Sequence, residues 1–436
     1  MYNARPGRFK RRSLTGLSAL TLAIGCTGGA TAETTVIHAG HIINPANGEM
    51  LADRYISVVD GRIASVDQAR PPVSEEQMVD LSNSWVMPGL FDAHTHLTFN
   101  FAVGICAAYV DQGTGYRALT GLKNAWSMLT SGFTTVRDLG NAANYADTDL
   151  RLAIENGLFN GPTIINAGKI IAPLGGQADR AAPEFGACWS YEYIDADGVD
   201  GVRKAIRQNL LYGAKAIKIV NDARSGLHGT YSDEELAVAV GDAHRAGLSI
   251  AVHAKEDATA LPAVKAGVDS IEHGYRITAA TLKAMARQGT YLVPTDVPPT
   301  YFPTPLADPE AYLRLRVGRL RSAYEMGVPL AFGTDTAFNK FGRNRGEMAF
   351  ELVGLWTRAG IPNMEVLKAM TINAARLLRV DGERGQIAVG QYADIVAMDG
   401  NPVSDLDHLS RVRFVMKNGV VIRNDHAGYI ATMPMR

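Results

Sequence analysis

From residue 34 to 85 the chain alternates apolar and polar positions in short β-branched runs. Thr35-Val36-Ile37, Tyr55-Ile56-Ser57-Val58-Val59 and Arg62-Ile63-Ala64-Ser65-Val66 read as strands, with Asp60-Gly61 as a two-residue hairpin turn between the last two. At residue 86 the texture changes. Short apolar runs now alternate with stretches of helical period, the pattern of parallel strands joined by crossover helices. The predicted strands are 86–94, 134–137, 163–166, 216–220, 249–253, 270–273, 291–294 and 330–335. Predicted helices include 232–246, opened by Ser232 and Glu235 as a capping box, and 310–326. Strands return at 386–388, 393–397 and 413–416, with Asn418-Gly419 as another hairpin turn.

Eight strands with intervening helices over about 250 residues is the size of a (β/α)8 TIM barrel. The expected fold is therefore α/β: a barrel over 86–379, with a small β-sandwich built from the flanking segments 33–85 and 380–436. An open doubly wound sheet would want a glycine-rich phosphate turn after its first strand, and none is present. Residues 174–200 form a long connection after the third strand, on the side where such loops shape a substrate site.

Length and charge narrow the function classes. The 436 residues are 47% hydrophobic, ample for a large core, and the net charge of −1 gives no footing for nucleic-acid binding. Three cysteines exclude a disulfide-built scaffold, and no C-x-x-C pair offers a thiolate metal site. Residues 1–32 read as a signal peptide. Arg5, Arg8, Lys10, Arg11 and Arg12 form a basic head, residues 14–24 are apolar but too short to span a bilayer, and Ala30-Thr31-Ala32 is a small-residue cleavage site. Arg11-Arg12 resembles a twin-arginine export signal. Cys26 opens a lipoprotein alternative, against which Ala23-Ile24-Gly25 is a poor lipobox. The expectation is a soluble periplasmic or secreted product without stable membrane insertion, forming a homo-oligomer and acting on a small molecule or dipeptide.

The candidate chemistry gathers at C-terminal strand ends. Pro88-Gly89-Leu90-Phe91-Asp92-Ala93-His94-Thr95-His96 closes the first strand, and histidines spaced i, i+2 share one strand face. The fourth strand gives Lys218, the fifth His253, the sixth His273 and the eighth Asp335. In a barrel these ends converge on one mouth. Four imidazoles and a carboxylate suit zinc or another first-row divalent metal. Lys218 is the odd member, since an ammonium would be repelled by metal ions and penalised by burial. As a carbamate formed with carbon dioxide it becomes an anionic ligand able to bridge two ions.

This ordered set resembles the binuclear, carboxylated-lysine branch of the amidohydrolase superfamily over nearly all of the chain. The segment Pro88 to His96, Gly333-Thr334-Asp335 and the late block Gly385-Gln386-Ile387, Gly390, Ala393-Asp394-Ile395-Val396 carry the likeness. Within the superfamily the chain is most similar to prolidase-like and imidazolonepropionase-related proteins, the group that includes Xaa-Pro dipeptidases, carboxypeptidase-like dipeptidases and ochratoxin amidohydrolases. The resemblance implies two divalent ions, zinc by preference, held by His94, His96, carboxylated Lys218, His253, His273 and Asp335. It also implies cleavage of an amide in a dipeptide or N-acyl amino acid by a metal-bridging hydroxide, with Asp335 as the proton carrier. Departures lie where substrate would sit. His253-Ala254-Lys255 stands for His-Ala-His, Gly175-Gly176-Gln177-Ala178 for Gly-Gly-His-Gly, and Asn221-Asp222-Ala223 for the Gly-Gly turn after the lysine.

Four residues are candidate substrate contacts. His228 is either such a contact or an exposed loop residue. Tyr231 either donates to the carbonyl oxygen or packs at a helix entry. Lys255 meets a substrate carboxylate or pairs with Glu256 or Asp257, and Gln177 replaces the family's histidine. Cys106 and Cys188 form a disulfide or remain two free thiols. Two competing functions keep the fold: the same site acting on an ester, lactone or phosphotriester, or a non-catalytic scaffold.

Overall fold

The chain changes sheets at glycines. The structure, a computed structural model, describes residues 34–99, 112–141, 143–177, 182, 184, 186–222, 230–302, 304–340 and 342–433. The chain divides into Met1–Ala32 and Glu33–Arg436, and all described residues belong to the second unit. Its strands begin with β1 (Thr34–Asn44), β2 (Glu49–Val59), β3 (Arg62–Asp67), β4 (Met78–Pro88), β5 (Leu90–Thr95), β6 (Phe133–Asp138), β7 (Thr163–Asn166) and β8 (Ile170–Ala172). They continue with β9 (Tyr193–Asp195), β10 (Ala216–Val220), β11 (Ser249–Glu256), β12 (Ser270–Arg276) and β13 (Tyr291–Val293). The last are β14 (Ile395–Met398), β15 (Val412–Lys417), β16 (Val420–Asn424) and β17 (Tyr429–Ile430).

Both flanking segments join one eight-stranded sheet, in the order β17-β16-β15-β14-β4-β1-β2-β3. Its two halves meet through their hairpin turns. The Ala393 N–H donates to Gly61 O at 2.9 Å and the Gly419 N–H to Ala393 O at 3.0 Å. A Cβ on Gly419 would lie 2.5 Å from the Gly61 Cα, so only glycine lets the turns touch. The curled sheet encloses its own core of Ile37, Ile56, Leu81, Ile395 and Phe414.

The remaining strands are parallel. β5, β6 and β7 form one sheet, and β13-β12-β11-β10-β8-β9 the other. Helices such as Asp233–Arg245, capped by Ser232 and Glu235 as expected, lie between strands and cover the largest core cluster. The sheets meet on two sides. Chain passes from β7 to β8 through Gly168, at φ +68°, and the Lys215 N–H donates to Asn166 O at 2.7 Å. Opposite, Leu330 bridges Leu292 and Thr336 bridges Thr95, both parallel.

Three expected strands are corrected. The run 86–94 is two strands, because the backbone changes partner within one residue: Gly89 N–H donates to Asp394 O and Leu90 N–H to Gly132 O, both at 2.9 Å. A side chain at Gly89 would collide with Thr134. The run 330–335 is no regular strand, because its donors are shared out. Asp335 N–H goes to His94 O at 2.8 Å, Phe332 N–H to Ala369 O at 3.0 Å and Thr334 N–H to Asp92 Oδ1 at 3.1 Å. The expected strand at 386–388 is likewise absent.

Candidate functional site

The six side chains singled out for metal binding come together. His94 lies fully buried in β5, one residue before its end, with Nε2 3.4 Å from Asp335 Oδ1; His96 Nε2 lies 3.1 Å from the same oxygen. His273 Nδ1 stands 3.8 Å from Asp335 Oδ2, and Lys218 Nζ 3.5 Å from His94 Nε2. The His253 and His273 rings meet edge to face at 4.3 Å. Ligand atoms of His94, His273 and Asp335 all lie within 4.8 Å of one another. The backbone is bent to achieve this. His273 and Asp335 adopt left-handed conformations at φ +74° and +54°. Such residues cost of the order of 1–3 kcal/mol each and persist where surrounding structure dictates them.

Electrostatics leaves these groups as donors of electron pairs. Burial pushes His94 and His273 well below the ordinary imidazole value, the first helped by Lys218 and the second by His253. His253 falls to about 4, again mainly through burial. Burial lowers Lys218 to about 8, against the opposing pull of Glu272 and Asp335. For Asp335 burial acts upward, but His94, His96 and Lys218 outweigh it and hold the carboxyl below the usual range. The site thus offers imidazoles at His94, His253 and His273 that burial holds neutral, an ionised carboxylate and a lysine lowered to about 8. That set fits a divalent first-row metal. Asp335 is its accessible member, with 31% of its side chain exposed.

Supporting residues that the sequence reading missed hold these groups in place. Thr295 bonds His273 Nδ1 at 2.7 Å and Tyr275 at 3.2 Å. Asp92 Oδ1 accepts from the backbone N–H of His94 at 3.0 Å and of Thr334, tying the two site-bearing segments together. The buried Arg345 donates to backbone carbonyls of His96, Thr336 and Phe99, closing the same seam from outside. Glu272 and Arg137 form a buried ion pair behind His94. One signal existed: a charged residue inside an apolar strand run, as in Ile271-Glu272-His273 or Thr135-Val136-Arg137, has to find a partner.

The expected substrate contacts divide. Gln177 Nε2 sits 3.0 and 3.2 Å from the two His253 ring nitrogens, and Gln177 Oε1 accepts from Tyr193 OH at 2.9 Å. Lys255 pairs with Asp222 at 3.1 Å, not with Glu256 or Asp257. The reason is local: Glu256 is taken by Arg276, and Asp257 accepts from Thr278 and Thr281. Asp222 also lies 3.3 Å from His253 Nε2, so Lys255 and His253 face the same carboxylate. Tyr231 is buried in the main core, at the entry of the helix Asp233–Arg245, and its hydroxyl has no hydrogen-bond partner among the described residues. His228 lies outside the described residues. Cys188 is disulfide-bonded, while Cys26 and Cys106 both lie outside them.

Comparison with known proteins places this geometry in context. The model of the amidohydrolase family matches residues 85–422. The Aspergillus niger protein named ochratoxinase is 28% identical over 441 residues, covering 91% of this chain and 88% of its own. A crystal structure of a Xaa-Pro dipeptidase with methionine bound in its active site is 30% identical, with a TM-score of 0.78 over 90% of this chain and 100% of that one. A prolidase complexed with N-methylphosphonate-L-proline is 28% identical, with a TM-score of 0.79 and the same coverage.

Proposed function

The chain belongs to the amidohydrolase family, and on that footing we propose that it is a metal-dependent hydrolase cleaving the amide bond of a dipeptide or N-acyl amino acid. The observation that carries the reading is the convergence of His94, His96, Lys218, His253 and His273 on the accessible carboxylate of Asp335. Two divalent ions held there, zinc by preference, would polarise the scissile carbonyl and make water nucleophilic at neutral pH. Asp335, ionised, takes the proton of the attacking water and returns it to the leaving amine. Lys218 keeps a free-amine fraction at neutral pH, the form that adds carbon dioxide to give a carbamate and one proton. Its anionic oxygens would then add ligands for the ions alongside the histidines and Asp335.

The amide is preferred over an ester or phosphotriester because the relatives are named for ochratoxin, Xaa-Pro and proline substrates. Lys255 and Gln177 lie beside His253, where a substrate carboxylate or carbonyl would arrive, and Tyr231 stays a candidate donor to a substrate oxygen. The two parallel sheets meeting at Gly168 and at 330–336 support a closed (β/α)8 barrel, and the curled flanking sheet supports a sandwich. Export belongs to the same proposal, with cleavage after Ala32 and a periplasmic or secreted homo-oligomer; native protein beginning at Met1 would refute the cleavage.

Metal analysis combined with a hydrolysis screen tests the function. N-acyl amino acids and dipeptides should be turned over by protein carrying two metals per chain. Turnover of esters, lactones or phosphotriesters alone would move the reading to those bonds. Absence of metal uptake and of turnover after zinc or manganese reconstitution would leave a non-catalytic scaffold.

A further inference from the structure

Arg137 heads the largest fully buried side chains, and it lies behind His94. Its partner Glu272 is equally buried. Taking two such charges out of water is costly, and apolar residues of similar volume often serve stability as well or better. The geometry supplies another reason for the pair. Glu272 Oε2 lies 2.7 Å from His94 Nδ1. Glu272 Oε1 accepts from Arg137 Nη2 at 2.8 Å and from Ser270 Oγ at 2.5 Å. Arg137 is fixed in turn, with Nε donating to Ala93 O at 2.6 Å and Nη1 to Ser270 Oγ at 3.2 Å.

We propose that Arg137, Ser270 and Glu272 are positioning residues that fix His94 in its Nδ1–H tautomer and so aim its Nε2 lone pair into the metal site. An ion-paired carboxylate only accepts. The 2.7 Å contact therefore places the imidazole proton on Nδ1 and leaves Nε2 unprotonated, 3.4 Å from Asp335 Oδ1 and 3.5 Å from Lys218 Nζ. Neighbouring residues on a strand point to opposite faces, so Glu272 and His273 would not ordinarily serve one centre. The left-handed turn of the backbone at His273 lets β12 supply both a ligand candidate and the carboxylate that orients another. The same relay joins β5 and β6 of one sheet to β12 of the other.

The inference rests on the metal-hydrolase reading only for what the Nε2 lone pair meets. It is tested first on wild-type protein, metal-free and carrying 15N-labelled histidine. Ring couplings should show His94 protonated at Nδ1, its signals assigned by their loss in His94→Asn. A proton on Nε2 overturns the relay whatever the protein hydrolyses. Failure of the functional reading looks different: no metal uptake, with the tautomer as stated. Glu272→Gln should then weaken metal binding about 10–100-fold in chelator competition and give mixed His94 tautomers. Glu272→Asp, one methylene short, should act in the same direction. If Glu272→Gln does not fold, Ser270→Ala removes one of the two donors to Oε1 and should give a smaller weakening. Folded variants with unchanged tautomer and metal affinity but a lower melting temperature would reduce the relay to a structural pin and overturn it.

Discussion

Asp335 holds two roles that one substitution separates. Asp335→Asn keeps size and one oxygen, so a site held by four histidines and Lys218 should retain its metal. The amide cannot accept and return a proton at neutral pH. Positioned acid–base groups contribute typically about 10²–10⁴-fold in rate, so kcat and kcat/KM should fall together by about that factor, the pattern of a lost transition-state interaction. Full turnover per bound metal in the Asn variant, measured on one preparation, would remove Asp335 from proton transfer. Lys218 gives a complementary test. Lys218→Ala should lose metal and activity together, and a short-chain carboxylic acid should partly restore both by filling the space left beside His94. A variant that keeps two tightly bound ions and normal turnover would end the bridging role. The six ligand candidates were legible because each sits in or at the end of an apolar run, where a polar residue stands out, Lys218 within Ala216-Ile217-Lys218-Ile219-Val220. Glu272 was not, because it stands beside His273 and alternation assigns it to the other face; only the positive φ at His273 brings both inward.

Among elements, the segment 330–336 is the one that hydrophobic pattern describes least well. Its apolar residues read as a strand, yet its donors go to β5, to Asp92 and to Ala369, a sharing that no run length encodes. Gly333 makes the approach to β5 feasible. A Cβ there would lie 2.9 Å from His94 Cβ and 3.0 Å from His94 N, besides colliding with Val293. Gly333→Ala should therefore lower stability by about 1–3 kcal/mol, the usual cost of overpacking a close-fitted core, and weaken metal binding by shifting His94. Gly354→Ala is the opposite case. It lies exposed inside the helix Arg345–Arg358 with nothing near its missing Cβ, so alanine should raise stability by about 0.5–1 kcal/mol through helix propensity. Thermal unfolding of both variants beside wild type checks the pair; a neutral Gly333→Ala would show that β5 and this segment have slack. The break at Gly89 was hidden for a related reason. Pro88-Gly89 sits inside one apolar run, and apolar character says nothing about which neighbour accepts each N–H. Hairpin turns at Asp60-Gly61 and Asn418-Gly419 were legible because their backbone geometry needs particular residues.

At the scale of the whole molecule, the interior carries ionisable groups displaced in both directions, and the metal-free protein should register each with a defined sign. His253 is lowered from an ordinary 6.5 to about 4, mainly by burial. Its neutral form is the folded one, so the unfolded chain binds more protons between those values, and the His253 contribution to stability is lost as pH falls from about 6.5 to 4. Asp147 is raised from 3.8 to about 6 by burial, against hydrogen bonds from the Gly168 and Thr148 backbone. Here the folded chain binds more protons, so its contribution is present below about 4 and lost as pH rises through 6. The two slopes oppose each other, and the net curve of wild type is a poor readout of either. Differences against non-titrating variants isolate them. His253→Gln should gain on wild type as pH falls from 7 to 4, and Asp147→Asn should gain as pH rises from 4 to 7, each by about 3 kcal/mol at about 1.4 kcal/mol per displaced pKa unit. Urea unfolding of chelator-treated protein at several pH values measures both. Parallel curves for wild type and His253→Gln across that range would mean that His253 is not held neutral by the fold, and the availability of its lone pair for a metal would lose its physical basis.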